Sequence, residues 1–204
     1  MNTRHVHNVR RSLCAVVLVM LAMPTASLFA QEPYPSKPIR LILGFSAGGI
    51  SDVLGRTLAA KMSSTIGQPM VVENKPGAGS TVAGDFIAKS APDGYTIWLQ
   101  DMTSHAINAS LYRKLPYDPL KDFAPIAFVA DAETVLVVPA SASAKSVGAL
   151  VAQAKARPDQ VTYASAGPGS TSHLTGELFK AATETTLVHV PYKGNAPAMT
   201  DLMA

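Results

Sequence analysis

Hydrophobic spacing along this chain switches repeatedly between two periods. Ile39, Leu41, Ile42 and Leu43 form a short apolar run, which predicts a strand covered on both faces. Leu54, Leu58, Met62 and Ile66 then recur every fourth residue, the stripe of a helix opened by Ser51 and Asp52. The turn between them, rich in Gly and Ser, feeds free backbone N–H groups into a helix N-terminus, a junction suited to a small anion such as a carboxylate. The same alternation predicts a strand at 70–73, a helix at 81–90 and a strand at 96–100. The loop "DMTSHAIN" leads into a short helix ending near Leu111, and "RKLPYDPLKDFAP" holds too many prolines for a regular element. Two β-rich runs, 123–130 and 134–138, are expected to be strands crossing between lobes. The alternation then restarts: helix 146–156, strand 161–164, helix 173–182, strand 187–190. Strand–helix alternation implies parallel sheets covered by helices.

The ends of the chain read differently. "MNTRHVHNVRR" is a basic leader, "SLCAVVLVMLAMPTASLFA" an apolar core too short for a membrane span, and Ala30 a cleavage point for an export signal, although Leu28 is a less usual choice at the minus-three position. The mature protein is therefore expected to be soluble and periplasmic. Its charge also changes: 17 basic residues, less Arg4, Arg10 and Arg11, equal the 14 acidic ones. The basic balance of the whole chain thus says nothing about nucleic acid, and none is expected as a partner. Cys14, the one cysteine, leaves with the signal, which excludes disulfide and thiol chemistry. At the other end "NAPAMTDLMA" reads as a helix with Asn195 as cap, stopping without a C-terminal signal. That pattern predicts a fragment, unstable or inactive in its 204-residue form.

Ligands in parallel α/β sheets gather at the carboxyl ends of the strands. Five strand-to-helix junctions fall there: "GFSAGGISD", "NKPGAGS", "DMTSHAIN", "SAGPGSTSH" and "YKGNAPA". They bring amides and hydroxyls, with only Lys75 and Lys193 as cations. A hydrogen bond to a charged partner contributes about 1.5–3 kcal/mol. A few of them cover the roughly −8 kcal/mol of a micromolar complex without an arginine fork. For a single junction, simple helix capping accounts for these residue types; for all five together it does not. Asp52 is read first as a cap, with a ligand amine or water as its second use. His105 and His173, each after a Thr-Ser pair, are expected to hydrogen-bond at helix starts; no metal-binding spacing occurs. No cofactor motif is present. Tyr95 and Trp98 are expected in the core.

These blocks, from about Tyr34 to the last residue, resemble the successive signatures of the Bug family, the substrate-binding receptors of tripartite tricarboxylate transporters. The resemblance implies a two-lobed, type II-like periplasmic binding protein of α/β class, with parallel-rich sheets flanked by helices and the second lobe incomplete. It divides the chain into a signal (1–30), a first lobe (31–130) and part of a second lobe (131–204). It implies a non-enzymatic receptor that captures a small organic acid for membrane permease subunits. The implied ligand contacts are Phe45, Ser46, Ala47, Gly48, Gly49, Ser51 and Asp52 at the first turn, with Gly79 at the second. They continue with Thr103, Ser104 and His105, then Ala166, Gly167, Gly169, Ser170, Thr171, Ser172 and His173. Three departures stand out. Gly44 replaces a usual proline and loosens the turn. Ile50 takes the place of a glycine and adds bulk. Asp101 and Met102 stand where small residues are common, and a carboxylate there disfavours an anion unless it points away or meets an amine. Two other readings stay open: an exported α/β hydrolase using Ser51 or Ser170, and a binding partner of a signalling sensor.

Overall fold

β1 (Ile39–Leu43) is the centre of the first sheet because its side chains are apolar on both faces. Leu41, Ile42 and Leu43 are at most 1% exposed. β2 (Met70–Asn74) and β3 (Thr96–Leu99) flank it, both parallel, with Leu41 level with Val72 on one side and Ile97 on the other. The computed structural model describes residues 33–204; the signal read at 1–30 lies outside them. Residues Pro35–Ala204 form one structural unit.

Helix α1 (Ile50–Ile66) returns the chain from β1 to β2. Its fully buried positions are Asp52, Gly55 and Ala59. The every-fourth-residue stripe of larger side chains is only half-buried, and Met62 and Ile66 pack on the edge of the β1 core. Small residues on the inner face let α1 lie close on β1, where Leu43 fills the space beside Gly55. A short 3₁₀ turn (Ala78–Ser80) and α2 (Thr81–Ala88) then lead to β3.

After β3 the expected loop is instead a helix from its second residue, α3 (Met102–Leu111). The Asp101 carboxylate accepts the Ser104 N–H at 2.8 Å and so starts the helix early. The proline-rich stretch forms no regular element, as expected, but it is anchored: Tyr117 is buried over Gly84. Tyr117 joins Trp98, His105 and Phe123 in a cluster of rings 5.2–6.5 Å apart. Trp98 and Tyr95 are half-buried, not fully enclosed.

The two expected crossing strands are absent. Residues 123–138 carry no regular structure, and Ile126, Phe128 and Val135 are more than 70% exposed. β propensity reflects packing against neighbouring strands, and no strand lies beside this segment among the described residues. Helix α4 (Val147–Ala156), capped by the Ser146 hydroxyl, precedes a two-stranded parallel sheet. That sheet is β4 (Thr162–Ser165) and β5 (Val188–Pro191), joined by α5 (Thr171–Thr183). The chain closes with α6 (Asn195–Met203), whose cap is Gly194, so Asn195 is the first helical residue and not the cap. No helix among the described residues is long and apolar enough to cross a membrane.

Candidate binding site

The β1–α1 turn sets out the first set of donors. Gly49 is the cap of α1 and offers no side chain, so the amides of Ile50 and Ser51 have no acceptor within the helix. Asp52 does not cap the helix in the expected sense. Its carboxylate accepts instead from the Gly48 N–H before the cap and from the Arg56 guanidinium, both at 3.0 Å. The Arg56 contact, helped by that amide and opposed by burial, holds the carboxyl at about 2. Asp52 is thereby engaged within its own turn. Gly44 is not a loose point either: a β-carbon there would fall on the Ser80 hydroxyl. Ile50 needs no positive φ, because the backbone reversal is made at Gly48, φ 80°.

The β4–α5 turn is held by a denser polar network. The Ser170 hydroxyl donates to Gly167 O at 2.6 Å and accepts the His173 N–H. The Ser172 hydroxyl accepts the Ala166 N–H, and the His173 Nδ1 accepts the Gly169 N–H. Behind the turn, Ser165 Oγ accepts the Gly167 N–H and lies 2.6 Å from His189 Nε2. His189 is sandwiched between Tyr163 and His173, at ring separations of 4.9 and 4.3 Å. Burial, and then the neighbouring His173, lower its pKa. Ser170 is thus engaged within the turn, its hydroxyl partners being the Gly167 carbonyl, the Ser172 hydroxyl and the His173 backbone N–H.

All five junctions meet. The Ser46 N–H donates to Lys193 O at 3.1 Å, and Gly194, at φ 154°, has a backbone no side chain could share with Ser46 beside it. Asn108 of α3, fully buried, donates to Gly79 O at 2.8 Å. Gly79 itself, at φ 59°, presses on the Pro168 carbonyl of the β4–α5 turn. The Thr171 hydroxyl donates to both Asp101 oxygens, at 2.9 and 2.8 Å. Between these contacts lies a pocket of about 50 Å³. That volume accommodates a few water-sized groups, on the scale of one carboxylate head. The N-termini of α1, α5 and α6 open onto it, each with roughly half a positive charge.

Of the residues expected to bind, the pocket brings together Phe45, Gly49, Ser51, Ala166, Ser170, Thr171 and Ser172. Ser46, Gly79, Gly167, Gly169 and His173 form the packing or hydrogen-bond shell behind it. Ala47, Gly48, Asp52, Thr103 and Ser104 do not line it. The His105 ring sits in the aromatic cluster with Nε2 3.0 Å from Pro119 O. Ile50, Asp101 and Asn195, which lie in the expected junctions but were not among the named ligand contacts, also line the pocket. The first two stood out in the sequence as departures, and that was the available signal. Neither Lys75, whose ammonium lies 4.2 Å from the Phe86 ring centre, nor Lys193 lines it.

Parallel strands with helix N-termini converging on one polar pocket define an α/β solute-binding architecture. Solved structures agree. The chain superposes with a TM-score of 0.80 on a periplasmic transporter of 42% sequence identity, over 83% of this chain and 57% of that one. It matches an R. palustris protein solved with adipate at TM-score 0.80 and 38% identity, covering 56% of it. MatC from Rhodopseudomonas palustris, with bound malate, gives 0.78 at 31% identity and 57% coverage. Residues 54–204 match the Tripartite tricarboxylate transporter family receptor, TctC, and the chain belongs to that family. Protein BugT of Bordetella pertussis is 39% identical over 197 residues, 96% of this chain and 60% of that protein. The chain therefore spans about 60% of the length of this curated relative.

Proposed function

We propose that this chain carries the ligand-gathering part of an extracytoplasmic receptor. It captures a small carboxylate-bearing solute and presents it to the permease subunits of a tripartite tricarboxylate-type transporter. The supporting observation is the convergence of three helix N-termini and four hydroxyl residues, Ser51, Ser170, Thr171 and Ser172, on a pocket of carboxylate size. A carboxylate there accepts hydrogen bonds from the open first-turn amides and is favoured by the helix dipoles. The adipate and malate held by two related structures fit the same chemistry. The location follows the solved periplasmic transporter to which the chain is 42% identical, and is in keeping with the export signal read at 1–30. The two sheets are proposed to be the ligand-facing parts of two lobes divided near residue 130.

Trp98, the one tryptophan in the sequence, reports on the site: it contacts His105 of α3, the helix capped by the pocket residue Asp101. Titrating the chain with mono- and dicarboxylic acids, and with the matching neutral amides as controls, is expected to give a saturable emission change for an acid and none for its amide. Equal responses to acid and amide, or no response to any acid, would overturn the reading.

A further inference from the structure

Asp101 places a carboxylate on the wall of a pocket whose helix ends are arranged for an anion. Among the described residues that line that pocket, none carries a positive charge. The Asp101 Oδ1 accepts from the Ser104 amide and the Thr171 hydroxyl, while Oδ2 accepts only from Thr171, which has a single proton to share between them. A carboxylate oxygen has room for two acceptances, so Oδ2 of this pocket-lining residue keeps capacity for a further donor. Its position is fixed from both sides, by the start of α3 and by the first residue of α5, so it does not turn away cheaply when a ligand enters.

A dicarboxylate bound here would add two negative charges beside Asp101, and the described lining offers no cationic side chain to offset them. A zwitterion does not have this problem. Its carboxylate meets the open amides of Ile50 and Ser51, and its ammonium supplies the charge that Asp101 lacks. Ile50, 59% exposed at the pocket wall, offers apolar surface to the carbon chain between. We infer that the pocket selects a small amino-carboxylate, with Asp101 as the residue that recognises the ammonium group. This rests on the carboxylate-receptor reading above and narrows it.

The test is a calorimetric and Trp98-fluorescence comparison of the full chain with Asp101→Asn and Asp101→Ser. Both replacements are good helix caps, so α3 keeps its start. The ligands are the common α-amino acids, their deamino analogues with the same carbon skeleton, and a set of dicarboxylates. A charge-assisted hydrogen bond predicts that one amino acid binds at least about tenfold tighter than its deamino analogue. Both variants then lose most of that ratio, while the deamino acid binds them as well as or better than the original chain. Tight binding of dicarboxylates with amino acids silent would overturn the amine assignment and leave the carboxylate receptor standing. So would an amino acid preference that survives in both variants. Silence of every acid in all three proteins would overturn both.

Discussion

The two sheets of this protein are ordered by different forces. β1 is walled in on both faces: Ile39, Leu41, Leu43, Ala59 and Met70 form one apolar cluster, and Ile42 is fully buried as well. The second sheet has no equivalent. In β4 only Ser165 is fully buried, and α5 buries no residue completely. Its order comes from the hydroxyl–amide network of the Gly167–His173 turn and from the stacked rings of Tyr163, His189 and His173. Apolar burial is insensitive to pH and forgiving of small changes in angle, whereas hydrogen bonds and imidazoles are neither. The pocket lies where the two meet, so one wall is held rigidly and the other by polar contacts.

The sharpest way to probe the contrast is to hollow out the first sheet. Leu41→Ala, at 1% exposure, is expected to cost about 2–5 kcal/mol in chemical denaturation. A loss under about 1 kcal/mol would mean that β1 is not the core of the unit. Next in size is the seam. Gly79→Ala forces a left-handed residue and drives a methyl into Pro168 O, for an expected loss of about 1–3 kcal/mol. If the turns only touch in passing, that substitution will leave the melting temperature unchanged.

Acid separates the two regions further. His189 has a lowered pKa in the fold, so between that value and the ordinary 6.5 the unfolded chain binds more protons. The stability this contributes is complete above 6.5 and is lost as pH falls through the folded value. Asp52 is likewise depressed, and its contribution persists until pH falls below 3.8 toward about 2. Melting curves from pH 8 to 3 are expected to show an early loss that His189→Gln removes. If that early loss persists in His189→Gln, the ring stack is not its source. The smallest effect is expected at Val188→Ala on β5. At 40% exposure it should cost under about 1 kcal/mol, well below Leu41→Ala. Equal costs at the two positions would erase the distinction between the sheets.

Much of this architecture is written locally in the sequence. The period of two or four fixes each strand and helix between Ile39 and Leu99 to within a residue or two. Helix starts were placed less sharply: the Ser146 and Ser170 hydroxyls cap helices beginning at Val147 and Thr171, against expected starts at 146 and 173. Residues 123–138 show the limit of such reading, since a strand exists only with a partner, and propensity names no partner. The site divides in the same way. Gly, Ser and Thr at helix starts were legible as a class because the N-terminus of any helix needs acceptors and offers amides. Which of them face one another was not, because His105 and Thr103 share a turn with Asp101 and differ only in the side of α3 they occupy. Only the three-dimensional meeting of five distant turns puts Asp101 against Thr171, 70 residues later, and turns a cap into part of a pocket wall.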